Sequence, residues 1–310
     1  MGLRRDARAY PPPGRIINGL HLNLRGQGSP AVVFEAGIAA SSISWTVVQR
    51  RVAEWTTTVA YDRPGLGWSL PADGQLNAEG LVDRLRAALR TAGVSGPFLL
   101  VGHSFGGLLV RIFAARYPGE VCGLVLVDSA LVSEWAQPSE ERERMLRLGI
   151  QLARRGALLA HLGVVRLGLE LAARRSRGLA RGIARAASGP GLELIDRMVS
   201  EVQKLPAELA PAVKAHWSQA KSFVAMAAYL ELLPEVARKA GEVRLAGGMP
   251  VAAISSAHAS KECLREHRAV ASEHVQASRG GHWVQLDEPE LVAGTIRRIL
   301  EQAGATGGLH

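Results

Sequence analysis

The sequence predicts an α/β fold, a doubly wound and mostly parallel sheet with an inserted helical cap. Three observations support this prediction. Short apolar runs alternate with helical patterns along most of the chain, the alternation is interrupted once over residues 133–241, and most strand candidates are continuously apolar. Continuous apolar strands are typical of parallel sheets that helices cover on both faces.

The expected organisation has three parts. The length of 310 residues suits one large domain or two small ones. We expect a flexible arm at residues 1–14, a core at residues 15–132 and 242–303, and a helical cap at residues 133–241. The arm is polar and proline-rich and lacks the apolar segment of a secretory signal peptide, which favours a cytoplasmic location.

The core elements follow in order along the chain. Residues 15–25 alternate apolar and polar side chains around Asn18-Gly19, which predicts a β-hairpin because both residues tolerate positive φ. Apolar runs predict strands at residues 31–34, 57–61, 98–101, 122–127, 251–254 and 274–277. Amphipathic patterns predict helices at residues 45–55, 78–91, 105–117, 260–272 and 289–303. This strand–helix alternation indicates βαβ units.

The positive charge is local rather than spread over the chain. The formal net charge is +9, with a sequence pI near 10.2. Residues 142–185 contain eleven arginines, no lysine and two glutamates, which accounts for the whole net charge. The remaining chain is therefore neutral. The two cysteines, Cys122 and Cys263, exclude a disulfide-rich scaffold and a zinc site built from four cysteines.

The basic segment has two interpretations. Its arginines recur near helical spacing beside many leucines, at positions Arg144, Arg147, Arg154, Arg155, Arg174, Arg177, Arg181 and Arg185. The simpler interpretation is a set of amphipathic helices with a solvated arginine face. The functional alternative is a peripheral contact with an anionic surface such as lipid. Residues 142–185 contain no Phe, Trp or Tyr, and no nucleic-acid recognition motif accompanies them, which argues against nucleic acid as a partner.

The most informative segment is residues 98–107 (FLLVGHSFGG). A predicted strand ends, a Gly-x-Ser-x-Gly turn follows, and an apolar helix begins at once. Glycines flank Ser104 because a sharp turn leaves no room for side chains on either side of an exposed nucleophile. The start of a helix also supplies backbone N–H donors for a developing oxyanion. The alternative is an ordinary glycine-rich turn without catalytic function.

A nucleophilic serine requires a base, and the chain has nine histidines. His282 lies after the last predicted strand and before the last predicted helix, within residues 280–289 (GGHWVQLDEP). This loop belongs to the carboxyl end of the sheet, where the active site of an open α/β sheet is expected. His103 adjoins Ser104, but successive side chains diverge at a tight turn, so we expect it to pack behind the turn. We therefore assign His282 as the base.

Together these segments resemble the α/β-hydrolases of the esterase or haloperoxidase-like kind with a helical cap. The resemblance covers residues 13–300 outside the cap. It is carried by residues 30–38 (PAVVFEAGI), 61–69 (YDRPGLGWS), 101–107 (VGHSFGG), 123–129 (GLVLVDS) and 281–289 (GHWVQLDEP). It implies the fold predicted above and a Ser–His–acid triad, but it says little about the substrate.

The third triad member departs from the common family pattern. Most relatives carry the acid just after the penultimate strand, here after Ile254, where the first carboxylate is Glu262. A minority, including some haloalkane dehalogenases, carry it at the end of the strand that follows the helix after the nucleophile. In this chain that position is Asp128. Asp128 could instead only cap a turn with Ser129. We assign Asp128 as the orienting acid, with Glu262 as the second candidate.

The resemblance also implies two backbone donors for an oxyanion. One is the N–H of Phe105, the residue after the nucleophile, and the other comes from the loop after the strand at residues 31–34. Many relatives have His-Gly in that loop, whereas this chain has Ala36-Gly37. Because the donor is a main-chain group, we assign it to Ile38, with Gly37 allowing close approach.

Two further features concern Glu35 and the loop at residues 62–69. Glu35 precedes the expected oxyanion loop and either tunes the site or stabilises the loop as a buried carboxylate. Residues 62–69 (DRPGLGWS) resemble the loop that follows the next strand in the family. We interpret that loop as a structural support of the site.

The sequence therefore predicts a cofactor-independent serine hydrolase, a carboxylesterase acting on a mainly apolar small molecule. A lactonase, thioesterase, amidase or C–C bond hydrolase would use the same triad, and a non-catalytic ligand-binding protein is an alternative from another class. No metal-ligand or nucleotide-binding motif is present, so we expect neither a metal nor another cofactor. Serine at the nucleophile position disfavours dehalogenase and epoxide hydrolase chemistry, which needs an ester intermediate on a carboxylate.

Overall fold

The computed structural model describes residues 2–173 and 204–307. Within them, one sheet has eight strands in the order β1-β2-β4-β3-β5-β6-β7-β8. The strands are β1 (Arg15–Ile17), β2 (Leu20–Arg25), β3 (Ala31–Glu35), β4 (Thr58–Asp62), β5 (Phe98–His103), β6 (Val121–Val127), β7 (Val251–Ser255) and β8 (Glu273–Gln276). The β1–β2 and β2–β4 pairs are antiparallel and all other pairs are parallel. The predicted doubly wound, mostly parallel sheet is confirmed.

The helices of the core agree with the sequence pattern, with shifts of a few residues at their ends. The described helices are α1 (Gly2–Ala9), α2 (Thr46–Val52), α3 (Ala78–Thr91), α4 (Phe105–Arg116), α5 (Val132–Trp135), α6 (Glu140–His161), α7 (Val164–Ala173), α8 (Ala210–Trp217), α9 (Ala220–Glu242), α10 (Lys261–Val270), α11 (Val284–Asp287) and α12 (Pro289–Gly307). None of these described helices has the length and apolarity of a membrane span.

The predicted hairpin is confirmed at β1 and β2. Asn18 and Gly19 connect the strands with φ angles of 50° and 80°. Positive φ at both positions is the requirement of the tight hairpin turns that match the twist of the flanking strands. The hairpin joins the sheet where β2 pairs with β4.

Alternate residues of the central strands pack into two different cores, which explains their continuous apolar pattern. Leu100 of β5 belongs to the core under α3 and α4, whereas Leu99 and Val101 belong to the core under α2 and α12. All three side chains are fully buried. Successive strand side chains point to opposite faces, so a sheet covered on both faces requires apolar residues at every position.

The described part of the insertion between β6 and β7 is helical, as predicted. Residues 133–173 and 204–242 contain helices and turns but no strand. Helix α9 packs lengthwise on α6 and also contacts α4 and α3, so it joins the cap to the core. The domain boundaries given above stay a prediction.

The start of the chain differs from the expected flexible arm. Gly2–Ala9 forms helix α1, and buried Asp6 forms an ion pair with Arg166 of α7. Alanine and arginine in this stretch favour a helix, and the prolines from Pro11 onward prevent its continuation. The tertiary ion pair gives the helix a partner that the local sequence does not reveal.

The described arginines of the cap are largely balanced by carboxylates. The pairs are Arg142–Glu134, Arg144–Glu140, Arg147–Glu143, Arg154–Glu231 and Arg166–Asp6. In four pairs the acid lies outside residues 142–185, so the positive charge is less concentrated in space than along the sequence. Residues 174–185, with Arg174, Arg177, Arg181 and Arg185, lie outside the described residues. Contact with an anionic surface stays a prediction.

One contact between cap and core contains a buried histidine. The ring of His216 in α8 meets Trp68 edge-on, with 4.4 Å between ring centroids, and Trp68 in turn lies 4.9 Å from His21. Burial lowers the pKa of His216 to about 4, against the attraction of the Asp62 carboxylate, while nearby Lys221 lowers it further. His216 is therefore neutral when the protein is folded at neutral pH.

We expect this histidine to make folding acid-sensitive. Between pH 6.5 and about 4 the unfolded chain binds a proton at His216 that the folded protein does not bind. The free energy of unfolding therefore falls as the pH decreases through this window, by up to about 1.4 kcal/mol per pH unit, and this contribution levels off below it. Urea unfolding of wild type and His216→Gln over this pH range measures the effect as a difference in slope.

His258 provides the matched control because it is exposed on a loop of the core. The His258→Gln variant should keep the wild-type pH slope. An unchanged slope in His216→Gln would contradict the assignment.

Candidate active site

The turn at Ser104 joins β5 to α4 with strained geometry. Ser104 has φ 53° and ψ −120°, a backbone conformation that residues other than glycine rarely adopt. A Cβ atom on Gly102 would lie 2.5 Å from the carbonyl oxygen of Gly106, and one on Gly106 would lie 2.5 Å from that of Glu35. Both distances are too short for a side chain. The structure therefore requires glycine at positions 102 and 106, as predicted from the sharp turn at Ser104.

Asp128 and His282 are brought together at the carboxyl edge of the sheet. His282 Nδ1 lies 2.7 Å from Asp128 Oδ2, and Asp128 Oδ1 accepts the backbone N–H of Ser256 at 2.9 Å. Because an ionised carboxylate only accepts hydrogen bonds, Nδ1 carries the proton and Nε2 of neutral His282 has the free lone pair. The His282 side chain is 50% exposed and that of Asp128 is 10% exposed. This arrangement suits a general base oriented by a buried acid.

Asp128 is held in its charged form. Burial disfavours the carboxylate, but the hydrogen bonds from His282 and from the Ser256 amide outweigh it and lower the pKa of Asp128. Its backbone has a positive φ of 40°, and its N–H donates to the Ile254 carbonyl at 2.7 Å. The turn after β6 is thus tied to the end of β7. Glu262, the second candidate, is half-exposed in α10 and lies 3.7 Å from Arg265.

The usual acid position after β7 is filled by a polar network that the sequence argument missed. Ser255 Oγ lies 2.7 Å from His267 Nδ1 and 2.9 Å from His274 Nε2, and His267 Nε2 donates to the Ser129 carbonyl at 3.0 Å. His267 is 2% exposed. Its position inside an amphipathic helical pattern carried no catalytic signal. The network supports the turn that follows Asp128.

The same region groups three potential metal ligands. One ligand atom each of Asp128, Cys263 and His267 lie within 4.8 Å of one another. Both Asp128 oxygens and both His267 nitrogens are already hydrogen-bonded, and burial raises the pKa of the Cys263 thiol to about 12. An ion would have to break these bonds to bind. We therefore interpret the group as part of the hydrogen-bonded support of Asp128.

His103 packs behind the turn at Ser104, in agreement with the sequence prediction. Its Nε2 donates to the backbone carbonyl of His282 at 2.8 Å, and the two imidazole rings lie 4.7 Å apart. Burial, reinforced by the neighbouring His282, lowers the pKa of His103 to about 3, so the ring stays neutral. His103 thereby anchors the loop that carries His282 to the residue that precedes Ser104.

One predicted oxyanion donor belongs to the residue after Ser104, and the other belongs to a loop that passes beside Ser104. Phe105 is the first residue of α4, and Ile38 follows Gly37 in the loop after β3. A Cβ atom on Gly37 would lie 3.6 Å from Ser104 Cβ and 2.9 Å from His103 Nδ1, so the loop passes directly beside the turn at Ser104. Within the described part of the chain, neither the Phe105 nor the Ile38 amide donates a hydrogen bond. Both amides are available to a ligand.

Comparison with known proteins agrees with this architecture. A model of the alpha/beta hydrolase family matches residues 32–295, which is most of the chain. The chain belongs to the alpha/beta hydrolase family. The resemblance noted in the sequence is confirmed.

Two relatives and one solved structure illustrate how far the likeness extends. An AB hydrolase superfamily protein of Gibberella zeae is 26% identical over 88% of this chain and 86% of its own length. An uncharacterized protein of Bacillus subtilis, YqjL, is 32% identical over 34% of this chain, and the match spans only 42% of that relative. A haloalkane dehalogenase of Bradyrhizobium elkani superposes with a TM-score of 0.68 and 20% identity, covering 94% of this chain and 98% of its own. That likeness concerns the fold alone.

The loop after β4 has a structural role in this hydrolase. Asp62 Oδ1 accepts the Ser42 N–H at 2.6 Å, while Oδ2 accepts from the Trp68 N–H and from His21 Nδ1, both at 2.9 Å. A fully buried carboxylate with these partners fixes the loop that follows it. The prediction that residues 62–69 support the site agrees with these contacts.

Proposed function

We propose that this protein is a cofactor-independent serine hydrolase that cleaves a carboxylic ester of a mainly apolar small molecule. The observation that carries the proposal is the hydrogen bond of 2.7 Å between Asp128 and His282 at the edge of the sheet where the strained turn presents Ser104. A serine, a half-exposed histidine and a buried carboxylate are the parts that nucleophilic acyl transfer needs.

In the proposed mechanism, His282 Nε2 takes the hydroxyl proton as Ser104 Oγ attacks the acyl carbon. The N–H groups of Phe105 and Ile38 bind the oxyanion of the tetrahedral intermediate, and Asp128 stabilises the imidazolium. His282 then returns the proton to the leaving alcohol, which departs and leaves the acyl-enzyme. Water, activated by the same histidine, releases the acid and regenerates Ser104.

The identity of the nucleophile separates this chemistry from that of other members of the fold. Displacement of halide or opening of an epoxide in this fold proceeds through an alkyl ester on an enzyme carboxylate. A serine alkoxide would form a stable ether at an alkyl carbon, which water does not hydrolyse. Position 104 holds serine, so acyl transfer is the chemistry that we assign to it.

The apolar side chains near the turn at Ser104 support the proposal of an apolar substrate. Helix α9 of the cap packs on α4, and Ala225 and Tyr229 of α9 belong to the same apolar cluster as Phe105. Ile38 of the proposed oxyanion loop packs against this cluster while partly exposed. These apolar surroundings, with Ile38 as the partly exposed side chain, favour an ester whose acyl or alcohol part is apolar.

We expect Ser104 to react with a fluorophosphonate probe in a manner that depends on His282. His282→Ala should be labelled at least about 100-fold more slowly than wild type because general-base catalysis is lost. Ser104→Ala should not be labelled, and mass spectrometry of the labelled peptide identifies the site. Equal labelling rates in wild type and His282→Ala would instead favour the non-catalytic ligand-binding alternative.

We expect Asp128→Asn to lower kcat by about 10³- to 10⁴-fold, because an amide cannot stabilise the imidazolium and favours the wrong histidine tautomer. Steady-state hydrolysis of a p-nitrophenyl ester measures the effect. Glu262→Gln is the matched control and should retain wild-type turnover, since Glu262 lies on the surface of α10. Retention of kcat in Asp128→Asn would refute the assignment of Asp128 as the acid.

The bond type can be tested with p-nitrophenyl esters of graded acyl length, together with a lactone, a thioester and an anilide. We expect the esters to give the highest kcat/KM, rising about fourfold for each added methylene that the protein buries. Ser104→Ala gives the background rate. A higher kcat/KM for the lactone, the thioester or the anilide would replace the carboxylesterase proposal with the corresponding alternative.

A further inference from the structure

A buried arginine lies directly under the proposed oxyanion loop. Arg63 follows β4 and is 2% exposed, and Glu35 at the end of β3 is also 2% exposed. Arg63 Nη1 donates to Glu35 Oε1 at 2.6 Å. Tyr61 donates its hydroxyl to the other oxygen of Glu35, and burial raises the pKa of Tyr61 well above its usual range, so it remains a donor. The arginine charge is thus neutralised inside the core.

The guanidinium also binds the main chain of the loop. Nη1 donates to the carbonyl of Ala36 at 2.5 Å, and Nη2 donates to the carbonyls of Gly37 at 2.5 Å and Ile38 at 3.0 Å. One side chain therefore contacts four consecutive residues. Only the planar, multiply donating head group of arginine can make this set of contacts, because an ammonium is a point donor.

These contacts determine which way the loop amides point. In a trans peptide the C=O and N–H point in opposite directions, so a Gly37 carbonyl bound to Arg63 directs the Ile38 N–H away from Arg63. The loop also passes beside Ser104, because an added Cβ on Gly37 would lie 3.6 Å from Ser104 Cβ. Arg63 therefore fixes the direction of the Ile38 N–H in a loop that lies next to Ser104.

Arg63 also contacts the other half of the proposed oxyanion hole. Its guanidinium carbon lies 5.1 Å from the ring centroid of Phe105 and 4.8 Å from that of Tyr229 in the cap helix α9. Both distances fall within the range of cation–π contacts. Tyr229 donates its hydroxyl to the Pro64 carbonyl at 3.0 Å, which fastens the cap helix to the residue after Arg63.

We propose that Arg63 is a positioning residue that holds residues 36–38 so that the Ile38 N–H meets the oxyanion of the transition state. This inference rests on the proposed function, since it requires an acyl-transfer intermediate. Arg63 does not touch the substrate in this role. Its loss should therefore affect the transition state more than substrate binding.

The test uses Arg63→Lys, which keeps the positive charge opposite Glu35 but loses the planar contacts to the three carbonyls. We expect kcat for a p-nitrophenyl ester to fall by about 10- to 100-fold, somewhat less than for complete removal of an oxyanion donor, while KM changes by less than about threefold. The affinity for an alkyl boronic acid, which forms a tetrahedral adduct with the serine, should fall in parallel with kcat.

The matched control is Arg86→Lys. Arg86 binds Glu120 through two nitrogens and lies 4.3 Å from the Tyr117 ring centroid, so it shares the carboxylate and ring contacts of Arg63 but not the contacts to residues 36–38. Glu120 immediately precedes β6, at the end of the sheet opposite to Ser104. This variant should keep wild-type kcat, KM and boronic acid affinity.

The possible outcomes are separable. If wild type is neither labelled by fluorophosphonate at Ser104 nor active on esters, the proposed function fails and this inference fails with it. If wild type is labelled and active, retention of kcat and of boronic acid affinity in Arg63→Lys overturns the inference alone. A rise in KM at unchanged kcat would assign Arg63 to substrate binding, and failure of Arg63→Lys to fold would assign it to core stability. Either result also overturns the inference.

Discussion

The close packing around the turn at Ser104 is the constraint on which the rest of the site depends. The chain leaves β5, adopts a positive φ at Ser104 and enters α4. A Cβ atom added to Gly102 or to Gly106 would lie 2.5 Å from a backbone carbonyl oxygen. One of those oxygens belongs to Glu35, so the turn touches the strand that leads into the oxyanion loop. The strained turn, the loop and the buried Glu35–Arg63 pair consequently form one packed unit.

The position of Asp128 shows that a parallel sheet can bring a carboxylate to the histidine from either of two neighbouring strands. Strands β6 and β7 are neighbours and end at the same edge, so a carboxylate on either strand can reach a histidine on the loop after β8. Here Asp128 after β6 reaches His282, and Ser255 at the end of β7 binds His267 and His274 instead. The backbone bond between Asp128 and Ile254 keeps the two strand ends in register.

The charge of the protein illustrates the difference between order along the chain and order in space. Counted along the sequence, residues 142–185 hold the whole excess of +9. In the structure, the arginines of α6 and α7 meet acids from α1, from α9 and from the segment before α6, as in the Arg166–Asp6 and Arg154–Glu231 pairs. Exposed pairs of this kind contribute little stability individually. They do reduce the local field that would attract an anionic partner.

The sequence by itself determined the sheet, the helical insertion and the strained turn at Ser104, because apolar periodicity and glycine positions encode them locally. The position of His282 after the last predicted strand indicated the base, and resemblance to a family added Asp128 as the acid, with Glu262 as the second candidate. Only the tertiary structure decided which carboxylate meets the histidine, that Asp6 of α1 pairs with Arg166, and that Arg63 binds residues 36–38. These contacts join residues distant along the chain, and their free energy depends on burial and direction, which no local pattern specifies.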